Sequence, residues 1–443
     1  MRHCGPFESA PQLAIGVSGG ADSLALTLLL QAWVETRGGR LTALTVDHGL
    51  RQGSAEEAAE TGRLLMARGL RHVILRWRHD GPRHGIQTAA RAARLQLLSD
   101  WCAREGVLHL ALAHHAADQV ETLVQRLWSG SGLAGLAAMA PDRELAHCRL
   151  LRPLIPIAPE RLRATLLKHA VPWLEDPSNE DSRFGRVQAR QFLRTREEPL
   201  RTRKAALGAA QALGVWRSTL EAGCAELAAA ACRLHPLGYV ELLTPRLHAA
   251  PRLLVEHLLR GLFQAVGGTV YPISEREARA VHDWLVDMRD PLASADRSSS
   301  MQRLAAGRCV MTRGESGRWL LCRELRDLPT VMCVGPGPWL WDRRFLLYRN
   351  LRQEGRVRPQ MAVCVRPFSP QNGDALVSKH LRPALARVPD HVLATLPVLE
   401  NHAGAPRLPS ISGVSLPPDL LDQGVAARFR PAQAVVQGPF TVA

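Results

Sequence analysis

Residues Leu13-Ala-Ile-Gly-Val-Ser-Gly-Gly-Ala-Asp-Ser23 constrain this chain more than any other stretch. A short apolar run breaks into Ser-Gly-Gly-x-Asp-Ser, and a leucine-rich pattern with helical spacing follows at once. A strand that ends in small residues and turns straight into a helix presents backbone N–H groups and the positive end of the helix dipole to the turn. That is an anion site. Gly19 and Gly20 let the backbone come close to a bulky anion. Ser18 and Ser23 add hydroxyl donors, and Ala21 leaves room. Asp22 is the odd residue, because a carboxylate beside phosphates calls for a bridging Mg2+. No lysine follows, as a P-loop requires, and the third glycine of the dinucleotide fingerprint is missing.

The first half alternates strand and helix signals. Leu13–Val17, Leu41–Val46, Val73–Trp77 and Val107–Ala113 are short apolar runs, and Cys148–Ile157 reads as another. Between them Asp22–Thr36, Ser54–Gly69 and Ile86–Gly106 carry helical spacing, and Pro159–Ala170 and Phe184–Arg194 follow. This alternation predicts an α/β fold: a parallel twisted sheet with helices on both faces. Ligands of such sheets sit at the carboxyl ends of the strands. Ser18–Ser23, Asp47-His-Gly-Leu-Arg51 and His114-His115 each directly follow a strand signal.

The remaining residues extend the chain to 443, enough for further domains. The expected order is a catalytic domain over 1–194, a helical linker over 195–214, a mainly helical middle domain over 215–328, and a small α+β module over 329–443. In the middle region, Pro251–Ala265 and Ser274–Met288 are the clearest helices, with Ser274 and Glu277 at capping-box spacing. Strand signals return at Cys309–Thr312, Trp319–Cys322, Phe345–Tyr348 and Met361–Val365.

The formal charge of +15 favours a polyanionic partner. All 56 basic residues except Lys168, Lys204 and Lys379 are arginine. That is coding bias, and it does not account for the net surplus. The nine cysteines are scattered and contain no Cys-x-x-Cys, which excludes a zinc ribbon and a disulfide framework. With no signal-like start and no apolar run long enough for a membrane, a soluble, cytoplasmic protein is expected.

His114-His-Ala-Ala-Asp-Gln-Val-Glu-Thr122 is the second constellation. On a helix starting near Ala116, Asp118 and Glu121 share a face. Two carboxylates at the mouth of a phosphate site either hold Mg2+ and position a nucleophile, or cap the helix and favour its dipole. A hydrogen-bonded structural role suits at least one of the two histidines. Ser129–Leu136 is a glycine-rich loop, read as a lid or as an ordinary connection. Arg91 and Arg94 lie three apart on one helix, as phosphate clamps or as solvated arginines. The same choice holds for Arg183, Arg186 and Arg190.

The combination says more than its parts. Ser-Gly-Gly-x-Asp-Ser, Val-Asp-His-Gly-Leu-Arg, Ala-Ala-Arg-x-x-Arg, Ala-His-His-x-x-Asp-Gln-x-Glu-Thr, Gly-x-Gly-x-x-Gly-Leu, Arg-Pro-Leu and Trp-Leu-Glu-Asp-Pro-Ser-Asn occur in one order over Leu13–Arg194. Together they resemble the tRNA(Ile)-lysidine synthetases, a branch of the PP-loop ATP pyrophosphatases. The resemblance implies a PP-loop nucleotide-binding fold and a two-step ligation. The wobble cytidine of tRNA(Ile) with a CAU anticodon attacks ATP, and free lysine then displaces AMP. It implies ATP binding by Ser18, Gly19, Gly20, Ala21, Asp22, Ser23, Asp47 and His48, and Mg2+ on Asp22 and Asp118. Catalytic roles fall to Asp22, Asp118, Glu121 and Arg91, and tRNA contacts to Arg186, Arg190 and the later regions.

Three positions depart from the family pattern: Ala117 replaces an acid, Leu95 a tyrosine, and Val187 an asparagine. A thiolating PP-loop enzyme is the nearest alternative, weakened by the absence of paired cysteines. An amidotransferase would need a cysteine at position 2, where Arg2 stands. An RNA-binding descendant with impaired catalysis is the alternative from another class.

Overall fold

A computed structural model describes residues 1–50, 53–79, 86–145, 148–175, 185–195, 199–288, 303–313, 318–334, 338–349, 363–369, 385, 388–400, 406–416, 421–432 and 434–436. Arg51, Asp176–Asn179 and Arg183, singled out in the sequence, lie outside them. The chain divides into two compact units, 1–219 and 220–438.

The first unit runs β1 (Gln12–Gly16), α1 (Ala21–Glu35), β2 (Arg40–Asp47), α2 (Ser54–Met66), β3 (Arg71–Arg76), α3 (Ile86–Glu105), β4 (His109–Ala111) and α4 (Ala116–Trp128). It continues through α5 (Leu133–Leu136), β5 (Asp142–Glu144), β6 (Arg149–Leu151), α6 (Pro159–Lys168) and α7 (Gly185–Arg194), and α8 (Pro199–Ala231) begins in it and ends in the second. Its sheet has the order β3-β2-β1-β4-β6-β5. Every pairing is parallel except β5 on β6.

The central strand β1 is apolar on both faces, as a parallel sheet covered twice requires. In β1, Leu13 and Ile15 join α1, Leu65 of α2, and Leu162 and Leu166 of α6 in one core. Ala14 between them faces the other way, into a second core with Leu98, Trp101 and Cys102 of α3. The order reverses between β1 and β4: β2 and β3 lie on one side, β4 and β6 on the other. In open sheets that switch point opens a crevice at the carboxyl ends of the strands. Here the Ser18–Ser23 turn and the His114–Asp118 turn border it.

The range expected as a linker is helical, but it is not a separate element. α8 is one 33-residue helix that continues well past residue 214. The second unit holds β7 (Cys232–Leu234), β8 (Val240–Leu242), α9 (Thr244–Ala249), α10 (Arg252–Gly267), α11 (Glu275–Asp287), β9 (Arg303–Ala306), β10 (Cys309–Arg313) and β11 (Trp319–Arg323). It goes on through β12 (Met332–Val334), β13 (Trp339–Trp341), β14 (Phe345–Arg349), β15 (Val363–Pro367), α12 (Asp390–Leu393), β16 (Pro397–Glu400), β17 (Leu408–Ile411) and β18 (Leu421–Phe429). The middle region therefore adds a five-stranded sheet, β7-β8-β11-β10-β9, to its helices. The boundary expected at 328/329 crosses a shared core. Leu237, Tyr239 and Leu320 lie in one buried cluster with Trp341, Phe345, Val398 and Leu408.

Candidate active site

The β1–α1 turn is built by its own serines. Ser23 is buried, and its hydroxyl accepts the Ser18 N–H at 3.2 Å and donates to the Gly20 carbonyl at 2.9 Å. Ser23 thus shapes the loop from inside, and Ser18, exposed, is the serine left to meet a ligand. Gly19 adopts φ +81°, and a Cβ there would sit 2.6 Å from Thr61 Oγ1 and 2.9 Å from Leu174 Cδ1. Both the left-handed backbone and the close approach demand glycine. Leu174 closes the turn, its N–H donating to Gly19 O at 3.0 Å. Gly20 caps α1 without any side-chain hydrogen bond. The first-turn N–H donors of α1 therefore lack a side-chain acceptor, which is the requirement for an anion site.

α4 begins beside this turn with a capping box. The His115 N–H donates to Asp118 Oδ2 at 3.0 Å, and the Asp118 N–H reaches His115 Nδ1 at 3.4 Å. The other ring nitrogen, Nε2, lies 3.4 Å from Asp22 Oδ2. With Nδ1 accepting, Nε2 carries the proton and donates to Asp22. One imidazole therefore ties the acid of the phosphate turn to the acid of α4. Burial is the largest single influence on His115 and disfavours its charge. Asp22, Asp118 and Glu121 together outweigh it and raise its pKa. The capping role of Asp118 is realised, and His115 stands between its carboxylate and that of Asp22.

His114 points the other way. It is buried, and burial pushes it down to about 3, so it is a neutral acceptor. Arg91 Nη2 approaches its Nε2 at 3.5 Å. Arg91 is drawn down to about 10 by loss of solvent, then by Arg186 and Arg94. Arg94 shifts down through burial and then through Arg186. Arg152, buried after β6, is pushed down to about 10 by burial, then by Arg143, Arg91 and Arg217. One Arg152 nitrogen donates to Ala140 O at 2.7 Å, while its buried Nε has no partner. In the sequence Arg152 stands out only as part of Arg-Pro-Leu. Its signal was an arginine placed immediately after an apolar strand.

Arg186 and Arg190 of α7 reach back to α4. Arg186 pairs with Asp118 at 3.4 Å, and Arg190 with Glu121 at 2.9 Å. The Glu121 bond, first among several causes, raises the Arg190 pKa. Glu121 itself is 3% exposed, and its second oxygen, Oε2, is buried without a partner. These two arginines stand at the two acids of α4.

Asp47 and His48 reach the same edge of the sheet at the end of β2. The Asp47 carboxylate accepts the Gly49 N–H at 3.1 Å and the Ser54 hydroxyl at 2.8 Å, holding the entry to α2. The His48 carbonyl bonds the His79 ring at 3.0 Å. The glycine-rich loop is tied down: Arg126 bonds Gly135 O and Ala138 O, and Arg217 also bonds Ala138 O. Buried Gln119 clamps Met139 through both ends of its amide. Of the departures, Val187 is buried in α7 and Leu95 packs on the α3 core, whereas Ala117 lies in the first turn of α4, beside the site.

A PP-loop domain model matches residues 2–197. The tRNA(Ile)-lysidine synthase of Ruegeria pomeroyi is 35% identical over 412 residues, covering 89% of this chain and 91% of that protein. The one of Mesorhizobium japonicum is 32% identical over 89% of this chain and 84% of its own length. That of Bradyrhizobium diazoefficiens is 46% identical over 42% of this chain and 52% of its own. The first two alignments extend the likeness well past residue 194, into the second unit. The chain belongs to the tRNA(Ile)-lysidine synthase family.

Proposed function

We propose that this chain uses ATP to join free lysine to C2 of the wobble cytidine of tRNA(Ile) bearing a CAU anticodon. The observation that carries the reading is the His115 bridge. It sets Asp22 of a phosphate-type turn and Asp118 of α4 on either side of one ring, at the switch point of the sheet.

In the first step the cytidine O2 attacks the α-phosphorus of ATP, and pyrophosphate leaves. In the second the ε-amine of lysine attacks C2 and loses a proton, and AMP departs with the former O2. The α1 N-terminus and Ser18 receive the pyrophosphate half of ATP. Arg91 is repelled by Arg94 and in turn repels Arg152, and an anion that enters beside Arg91 relieves both. Such steps depend on positioning and charge neutralisation more than on covalent help from the protein.

Mg2+ fits in one mode only. It commonly binds through one or two carboxylates completed by phosphates and water. Asp22 is 40% exposed, and Asp118 lies across His115 from it. Among the described residues no group of three His, Cys, Asp or Glu side chains can hold a metal alone. Asp22 and Asp118 would hold the ion from the protein side, with Ala117 contributing nothing, and the bound ion would neutralise charge on the triphosphate. The partners are thus nucleic acid and small molecules; no helix among the described residues is long and apolar enough to cross a membrane.

Pyrophosphate release from ATP tests the reading. Turnover should require a CAU-anticodon tRNA and rise when lysine is added. If lysine adds nothing on that tRNA, the reaction is a different one.

A further inference from the structure

α4 and α7 run side by side in the same direction, as their contacts show in order. Asp118 meets Arg186, Glu121 meets Arg190, and further on Trp128 meets Phe192 with ring centroids 5.4 Å apart at 81°. Buried Val120, Val124, Ala189 and Leu193 hold the pair together. The aromatic step at the far end does not join that core. Trp128 is 52% exposed and Phe192 36%, with Leu127 and Leu133 beside them in sequence, each 56% exposed. A large tryptophan left half in solvent on a tightly packed helix pair marks a contact surface.

The charge around it selects the partner. α7 carries Arg186, Arg190 and Arg194; the first two pair with Asp118 and Glu121, Arg194 pairs with neither, and after Glu197 and Glu198 the opening of α8 adds Arg201, Arg203 and Lys204. An aromatic edge in a cationic setting matches single-stranded nucleic acid, whose bases stack on rings while its phosphates meet guanidinium groups. Ten residues of α4 separate Trp128 from Asp118, about 15 Å along the helix. A base stacked there belongs to the same loop as the base at the site without being that base.

We propose that Trp128, backed by Phe192, is a stacking platform for anticodon-loop bases flanking the cytidine held at Asp118. This rests on the reading of the site as one that modifies a tRNA base. The test uses the full chain, its Trp128→Ala and Trp128→Phe variants, an intact CAU tRNA, and the same tRNA truncated to remove the anticodon loop. Trp128→Ala should bind intact tRNA about tenfold more weakly and bind the loop-less RNA and ATP as wild type does. Trp128→Phe should retain most of the affinity. In lysidine formation KM for tRNA should rise in step while kcat changes little. Unchanged affinity for intact tRNA overturns the proposal, as does an equal loss on both RNAs. Lost self-association with RNA binding intact would make the patch a protein contact, and overturns it too. If wild type makes no lysidine yet Trp128→Ala still loses loop-dependent binding, the reading of the site fails and the platform stands.

Discussion

Two groups of arginines, one in each unit, are placed differently: Arg323 and Arg344 are sealed in a core, whereas at the candidate site Arg152 is buried, Arg94 half-buried and Arg91 exposed. In the second unit Arg323 and Arg344 are 1% and 0% exposed and share Asp342, at 3.2 Å and 2.7 Å. Arg323 also donates to the carbonyls of Arg308, Glu324, Arg326 and Asp327, and Arg344 to that of Thr395. At the candidate site of the first unit burial, and after it neighbouring arginines, lowers the pKa of Arg91, Arg94 and Arg152, and the Nε of Arg152, like Nη1 of Arg344, has no partner among the described residues. A buried cation surrounded by carbonyls and one acid is a structural rivet. On the proposed function, arginines gathered beside the phosphate turn suit an anion that the protein does not itself supply.

The sharpest way to break this contrast is Asp342→Ala. It leaves two buried guanidiniums without their acid and should cost about 3–5 kcal/mol in denaturant unfolding. A variant as stable as wild type would mean the cluster holds nothing. Asp22→Ala is the counterpart in the first unit. Its carboxylate is 40% exposed, so melting should be unchanged while lysidine formation falls about 100-fold or more; full activity would remove Asp22 from the site.

Arg152→Met separates the two kinds of arginine directly. It should leave stability within about 1 kcal/mol and reduce lysidine formation about tenfold. A large loss of stability would place Arg152 with the rivets.

The smallest effect compares two capping boxes. Ser274 and Glu277 close α11 at an exposed helix end, whereas His115 and Asp118 close α4 at the site. The Ser274 hydroxyl and N–H lower the Glu277 pKa. A lowered carboxyl pKa adds stability above the ordinary value near 4.3, and that contribution is lost as pH falls through the folded value. Glu277→Gln should therefore cost a few tenths of a kcal/mol at pH 7 and nothing at about pH 3, read as a melting difference that vanishes. A difference that persists in acid would assign the cap to the serine alone.

Much of the first unit was legible because its signals are local. Leu13–Val17 predicts β1 within one residue of Gln12–Gly16, and Asp22–Thr36 predicts α1 equally well. The turn between them follows from Gly19 and Gly20 alone. β5 was not legible: Asp142–Glu144 is polar and pairs only at the sheet edge. The second unit hid more, because β17 and β18 pair across sequence with a register shift that no short pattern encodes. Within the site the acids were visible and their connection was not. Spacing cannot show that His115 turns one nitrogen to Asp118 and the other to Asp22. Nor can it show that Ser23 works inside the loop, or that the orphaned nitrogen of Arg152 faces no acceptor.

The most direct test of the account is mass analysis of tRNA nucleosides after incubation with ATP and labelled lysine. A cytidine carrying one lysine at the wobble position, formed only on a CAU-anticodon tRNA and absent with Asp22→Ala, is the predicted result. Consumption of ATP with no lysine on any nucleoside would contradict it.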